Sequence, residues 1–269
     1  MAGNSRGYKT ILPIHEGDTT DYSHRRGKEI VGLNIDNDVT AINACFANNE
    51  ITDLVLPDSV TAIAPSAFQS NLLKSVKLPK GLTCIEYAVF CNNYLEDIEI
   101  PNSVTLIDAY AFTSNRLTNV KLPEGLEKIG GCAFMKNCLT RIEVPDSVTE
   151  IGADAFRSNR LRFIKLPKGL DSISDNWFME NNKIESIVLP LNLKWISDTA
   201  FKGNPITSIA IGKNLQGQQN DDDFTPALLP SATAFGIYGA RFIDSYIYNN
   251  SAAGTYEYDK AADKWNYRE

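Results

Sequence analysis

The feature that most constrains this chain is that it restates itself. The stretches "LEDIEIPNSVTLIDAYAFTSN" from Leu95, "LTNVKLPEGLEKIGGCAFMKN" from Leu117 and "LTRIEVPDSVTEIGADAFRSN" from Leu139 start 22 residues apart. Phenylalanine recurs at 46, 68, 90, 112, 134, 156, 178 and 201, and asparagine at 49, 71, 93, 115, 137, 159, 182 and 204. Proline recurs at 57, 79, 101, 123, 145, 167 and 190, with Gly212 closing that series. The interval is 22 except for one step of 23, where an extra residue lies between Phe178 and Asn182. A unit this short cannot bury its own apolar face, so the units must stack and bury it against one another.

Between each Asn and its Pro the chain reads Asn-x-Leu-x-x-Ile-x-Leu-Pro, as in Leu117, Val120, Leu122 and Leu139, Ile142, Val144. The alternation of the last apolar pair predicts a short strand that Pro ends by removing a ladder donor. The Val/Leu-x-x-Ile and Ala-Phe that follow curl the chain back. Stacking eight such units predicts a right-handed coil with a parallel sheet on one side, roughly 40 Å across at ~4.8 Å per strand. The asparagines, Asn71, Asn93, Asn115, Asn137 and Asn159 among them, fall at the bend into each strand. There a side-chain amide can satisfy turned-in backbone groups, so they are expected to be structural. Phe68, Phe90, Phe112, Phe134 and Phe156 are expected to form a stacked apolar spine, each ring contributing ~1.5–3 kcal/mol by burial. A longer period of 44 residues lies inside the first, "PDSV", "PNSV" and "PDSV" alternating with "PKGL", "PEGL" and "PKGL".

These residues resemble the bacterial leucine-rich repeats of the BspA-like, or treponemal, class, in which Leu-Pro-x-Ser/Gly-Val/Leu-x-x-Ile-Gly-x-x-Ala-Phe returns every 22 to 24 residues. The resemblance covers about residues 33–212. It implies an α/β-type repeat solenoid with a parallel sheet on one face. It further implies a non-catalytic protein, extracellular, on the cell surface or periplasmic, that adheres to other proteins. No anchoring motif, sorting domain or lipidation cysteine accompanies the repeats.

Solenoid ends need caps. Residues 1–32 read as an N-terminal cap in which "YKTILPI" and "KEIVGLNI" form a small hairpin, and residues 213–269 as a C-terminal cap. In that tail "AGTYEYDKAADKWNY" sets Tyr256 and Tyr258 on one face of a strand, with Trp265 on a returning one. Phe235, Tyr238, Phe242, Tyr246, Tyr248 and Tyr267 make the same tail aromatic-rich. It is read as a cap, with a platform for a glycan or protein as the alternative.

The rest of the composition excludes more than it assigns. A net charge of −7 argues against nucleic acid, whose phosphates need a basic surface. No apolar run is long enough to span a membrane, and "MAGNSRGYKT" lacks a signal-peptide pattern. Cys45, Cys84, Cys91, Cys132 and Cys138 lack the paired spacing of a disulfide framework or zinc site and read as reduced fillers. His15 and His24 sit in no triad or metal motif, and Asp221, Asp222 and Asp223 lack the alternating ligands of a calcium loop. No cofactor, metal or catalytic residue is expected.

What remains is the outward face of the sheet. One outward column reads Val55, Lys77, Glu99, Lys121, Glu143, Lys165, Val188, Ala210, and its alternating charges predict a cross-strand ionic ladder, with a site for a charged ligand as the alternative. The other reads Asp53, Ser75, Asp97, Asn119, Arg141, Phe163, Ser186, Ser208, where Phe163 is the single apolar member. Exposed apolar groups mark binding, so Arg141, Phe163, Lys165, Ser186, Val188, Ser208 and Ala210 are the candidate ligand-binding residues. Trp177, in a slot held elsewhere by Ala67, Ala111, Ala133, Ala155 and Ala200, and Trp195 are read as local packing, with self-association as the alternative. The expected function is a non-enzymatic protein- or glycan-binding repeat protein. The alternative is a scaffold making homotypic or periplasmic contacts.

Overall fold

In a computed structural model the described residues are 10–18, 30–43, 45–173, 182–196, 200–212, 216–217 and 253–268. Trp177, Phe178, His24, Asp221, Asp222, Asp223 and the aromatics from Phe235 to Tyr248 lie outside them, as does the side chain of Trp195. The chain forms a solenoid of about eight turns in which each turn supplies two short parallel strands.

The longer strands are β1 (Thr10–Ile14), β2 (Ile30–Ile35), β6 (Asp97–Glu99), β8 (Asn119–Lys121), β10 (Arg141–Glu143), β12 (Phe163–Lys165), β14 (Ser186–Val188) and β16 (Ser208–Ile211). Bridges Gly32–Asp53 and Val55–Lys77 carry the same face through the turns between β2 and β6. Two-residue strands β3 (Ala41–Ile42), β4 (Ala62–Ile63), β5 (Cys84–Ile85), β7 (Leu106–Ile107), β9 (Lys128–Ile129), β11 (Glu150–Ile151), β13 (Ser172–Ile173), β15 (Trp195–Ile196) and β17 (Gln216–Gly217) line a second side. Among the described residues there is no helix, so the expected α/β character gives way to a solenoid of strands and turns. The physical reason is length: between the two-residue strand and the buried asparagine each repeat keeps only a seven-residue curl, as in 108–114, enough for turns and too short for a stable helix.

That curl is held by a third ladder. Ser66, Phe68 and Ser70 donate their N–H groups to the carbonyls of Tyr87, Val89 and Cys91 at 2.8–3.0 Å, and Ala88, Phe90 and Asn92 do the same to Ala109, Ala111 and Thr113. The tight path needs two left-handed residues per turn. One series is Ser66, Ala88, Tyr110, Cys132 and Asp154; the other is Asn48, Ser70, Asn92, Ser114, Lys136 and Ser158, all with φ between 52° and 61°. A side chain in that region costs about 1–2 kcal/mol, which the cross-turn hydrogen bonds offset.

Inside, the asparagines hold one turn to the next. Asn137 Oδ1 accepts the Leu117 N–H at 3.0 Å, while its Nδ2 donates to Phe112 O at 2.9 Å in the preceding turn and Phe134 O at 3.1 Å in its own. Asn71, Asn93, Asn115 and Asn159 repeat this set, and Asn182 likewise joins Leu161 N–H and Phe156 O. Every one is buried. The rings of Phe46, Phe68, Phe90, Phe112, Phe134 and Phe156 stack at 5.5–5.9 Å between centroids and within 14° of parallel.

The N-terminal expectation is corrected by the pairing: β1 and β2 run parallel, not as a hairpin. Fifteen residues separate them, enough to carry the chain back to its starting edge, as a parallel pair requires. Glu16 and His15, just past β1, bind the next turn. Glu16 accepts the Thr40 N–H at 2.7 Å and its hydroxyl at 2.8 Å, and His15 Nδ1 lies 2.6 Å from Asp36 Oδ2. At the other end β18 (Gly254–Asp259) pairs antiparallel with β16, and β19 (Lys264–Arg268) with β18. Tyr256 and Trp265 turn inward and are buried against the end of the core.

Replacing Asn137 with Ala should destabilise the fold by about 1–3 kcal/mol, because the Leu117 N–H and the Phe112 carbonyl lose a partner inside the protein. Urea unfolding of the variant beside the wild type checks this; an unchanged midpoint would refute the account of the amide. Lys136→Gly should raise stability by up to about 1 kcal/mol, since the exposed Lys136 is held at a φ of 55° that glycine adopts freely.

Candidate functional site

On the longer strands the side chains alternate. Ile98, Val120, Ile142, Ile164 and Ile187 point into the core, and their neighbours on either side point outward, giving an exposed–buried–exposed pattern in β6, β8, β10, β12 and β14. The outward residues form two columns because the parallel strands stay in register, with Arg141 beside Phe163 and Glu143 beside Lys165. The same register sets Glu99 beside Lys121.

The expected ionic ladder is in register but not in contact. Among the described residues no ion pair closes between neighbours of the Lys77–Glu99–Lys121–Glu143–Lys165 column. Glu143 is instead taken by Arg141, two residues earlier on the same strand. The guanidinium Nε donates to Glu143 Oε1 at 3.2 Å, and Nη2 donates to the same oxygen. The reason is geometry: residues i and i+2 of one strand share a face, so Arg141 reaches Glu143 without crossing to another strand. Hydrogen bonding and charge from Arg141 hold the Glu143 carboxyl below its ordinary range, with Lys165 adding to the effect. The cross-turn ion pairs that do close lie on the second side and at the turns, Lys128–Glu150 at 2.8 Å, Lys168–Asp146 at 3.1 Å and Lys194–Asp171 at 3.2 Å.

Arg141 makes a second contact. Its guanidinium carbon sits 4.1 Å from the centroid of the Phe163 ring on the next strand. The arginine is therefore fixed on one edge by a carboxylate and on one face by an aromatic ring. Phe163 keeps 41% of its surface exposed, and Val188 on β14 keeps 68%. Beside them a shallow groove of about 350 Å³ is lined by Asn119, Lys121, Glu124, Arg141, Glu143 and Lys165.

Of the sequence-derived candidates, Arg141, Phe163 and Lys165 thus come together, and Ser186 and Val188 continue the two columns on β14. Ser208 and Ala210 are half-buried, because the cap hairpin lies against their strand: Ser208 pairs with Glu257 and Ala210 with Thr255. One participant escaped the sequence reading, namely Leu191. Leu191, 76% exposed, occupies the turn slot held by Asp58, Lys80, Asn102, Glu124, Asp146 and Lys168 in earlier repeats. An apolar residue in a polar column is the signal that marks it.

The cysteines are all free. Burial, with help from Glu86, pushes the Cys84 thiol up to about 12, and burial also raises Cys91 and Cys132, so these sulfurs stay protonated thiols near neutral pH. Among the described residues no group of three His, Cys, Asp or Glu side chains is placed to hold a metal ion. No helix among them is long and apolar enough to cross a membrane.

Comparison with known proteins agrees with this architecture. The family model described as the BspA type leucine rich repeat region matches in six copies, over residues 39–161 and 105–221. The pneumococcal vaccine antigen PcpA is 19% identical, with a TM-score of 0.50, over 87% of this chain and 62% of its own. A leucine-rich repeat protein from Bacteroides ovatus is 19% identical, with a TM-score of 0.43, over 78% of this chain and 74% of its own. A leucine rich cell surface protein from Faecalibacterium prausnitzii is 16% identical, with a TM-score of 0.36, over 84% of this chain and 92% of its own. Among curated proteins no sequence matches.

Phe163→Asp should unfold within about 0.5 kcal/mol of the wild type, as expected of an exposed position; a large fall in melting temperature would show a ring that the fold needs. In Arg141→Ala the Glu143 carboxyl should titrate at higher pH than in the wild type, since the group that depresses it is gone. Carboxyl ¹³C shifts followed through pH 2–7 read this directly, and an unmoved midpoint would remove Arg141 as the cause.

Proposed function

Because the chain belongs to the BspA type leucine-rich repeat family, we propose that it is a non-enzymatic binding protein. In this reading it uses the outward face of its longer strands to hold a protein or glycan partner at the cell surface or outside the cell. The observation that carries the reading is that Phe163 on β12 and Val188 on the neighbouring β14 stay exposed, beside an arginine already held in place. Large side chains left in water on a face whose inward neighbours are all buried contribute nothing to the core. They gain their free energy when a partner removes them from water. A face that is rigid before binding also loses little conformational entropy on binding.

The surface location draws support from the BspA type family to which the repeats belong. The protein is organised in this reading as a repeat array of residues 33–212 between an N-terminal cap and an aromatic C-terminal cap. Burial of Tyr256 and Trp265 against the core supports capping, not ligand binding, for those two rings.

The test is binding of the full chain to a panel of matrix proteins, plasma proteins and glycans, with Phe163→Asp run in parallel. A partner retained by the wild type and lost by the variant is the expected result. Partners that bind both equally would move the site off this face. Wild type that binds nothing while its mass rises with concentration would replace the reading with a homotypic scaffold.

A further inference from the structure

The outward face is not chemically uniform. Toward its N-terminal side it carries Asp53, Asp97 and Glu99, with Lys77 between them and Val55 as a single exposed apolar residue. At its centre Lys121, Arg141 and Lys165 surround Glu143 around the groove, with Glu124 on the rim. Three cations stand there against two carboxylates, on a chain whose net charge is −7. The C-terminal side carries Phe163 and Val188 exposed among serines, with Leu191 exposed in the turn that follows β14.

The centre is also the part prepared for a ligand. A guanidinium has five N–H donors, and Arg141 commits two of them, from Nε and Nη2, to one Glu143 oxygen. The Phe163 ring fixes the plane of the group from the side. The remaining donors are thereby aimed without further loss of side-chain freedom, the arrangement that favours bidentate recognition of a carboxylate. Lys121 and Lys165, on either side of Glu143 in the column, have no ion-pair partner among the described residues and carry exposed ammonium groups.

From this juxtaposition, and resting on the reading of the face given above, we infer that the partner is an acidic protein segment. It lies across the strands with a carboxylate in the Lys121–Arg141–Lys165 groove and an apolar side chain on Phe163 and Val188. The spacing follows from strand geometry. Val188 is one strand beyond Lys165 and two beyond Arg141, or ~4.8 and ~9.6 Å along the stack. An extended chain presents residues i and i+2 on one side at ~6.8 Å, between those two distances. The segment therefore reads Asp/Glu-x-apolar. A sulfated glycan would satisfy the cations but leave Val188 in water, and a neutral glycan would leave the cations without a partner.

The test uses the full chain on an array of synthetic 12-residue peptides in which Glu or Asp is followed at +1, +2 or +3 by Leu or Phe. Matched peptides carry Gln for the acid or Ser for the apolar residue, and immobilised heparin forms a separate arm. Retention should be strongest with the apolar residue at +2 and fall about tenfold or more when either member is replaced. Arg141→Gln and a Lys121→Gln/Lys165→Gln double variant should each weaken binding of the best peptide to a similar degree, and added salt should weaken it further. Melting curves matching the wild type show that these exposed changes leave the fold intact. Equal retention of acid-free peptides, retention on heparin alone, or no retention on any peptide would each overturn the assignment. If the panel then yields a partner sensitive to Phe163→Asp but indifferent to Arg141→Gln, the face remains the binding surface and only the acidic partner falls. Loss of both results removes the face itself.

Discussion

The primary amide of one asparagine per turn holds the solenoid together. A chain that turns sharply every few residues around a dry core brings backbone N–H and C=O groups inside, and each must find a partner there. The asparagine supplies both kinds at once, accepting the Leu117 N–H and donating to Phe112 O in the case of Asn137. Aspartate could not donate, serine could not do both at that reach, and glutamine would place its amide one methylene too far. Because the two contacts belong to the preceding turn and its strand, each amide fixes the height and register of one repeat on another. The phenylalanine rings inherit that register, which is why they stack within 14° of parallel over six successive turns.

Once register is set from inside, the outward side chains are released from folding. In β6, β8, β10, β12 and β14 the middle residue alone is buried. The flanking positions accept Asp, Asn, Arg, Phe or Ser in one column and Glu, Lys or Val in the other without changing the backbone. That freedom separates stability from recognition: the same scaffold can carry any surface that the two columns write on it. The antiparallel hairpin of β18 and β19 closes the array, its inward Tyr256 and Trp265 covering a core edge that another repeat would otherwise cover.

The repeat, its parallel strands, the buried asparagines and the phenylalanine stack can all be read from spacing, because a fixed period leaves each residue type one slot. The left-handed positions cannot. Ala88, Tyr110, Cys132 and Asp154 show no glycine where φ is positive, since the cross-turn hydrogen bonds and not the residue choose the conformation. The two-residue strands of the second side are too short for any periodicity to reveal. The parallel course of β1 beside β2 hides in the connecting residues, whose length admits a return pass as readily as a wide hairpin. At the candidate site the columns are legible but their contacts are not. Lys–Glu alternation pointed to cross-strand pairs, while the Arg141-x-Glu143 pair within one strand, a spacing equally visible in sequence, won the carboxylate.

The capture of Glu143 by Arg141 decides what the face can recognise. A complete ladder would have left every charge neutralised by a neighbour and the face suited to nothing charged. With Glu143 engaged on the side, Lys121 and Lys165 lose their shared partner. Arg141 in turn becomes a fixed donor instead of a mobile one. The ring that fixes it, Phe163, is itself exposed, one strand from the exposed Val188. Charge and apolar surface are thus joined through a single contact, the guanidinium over the ring. A partner that buries the ring and Val188 must pass over the cations, and desolvating those cations is favourable only if it brings an acid to meet them. Selectivity on such a face comes less from the size of the apolar patch than from the cost of covering unpaired charge beside it.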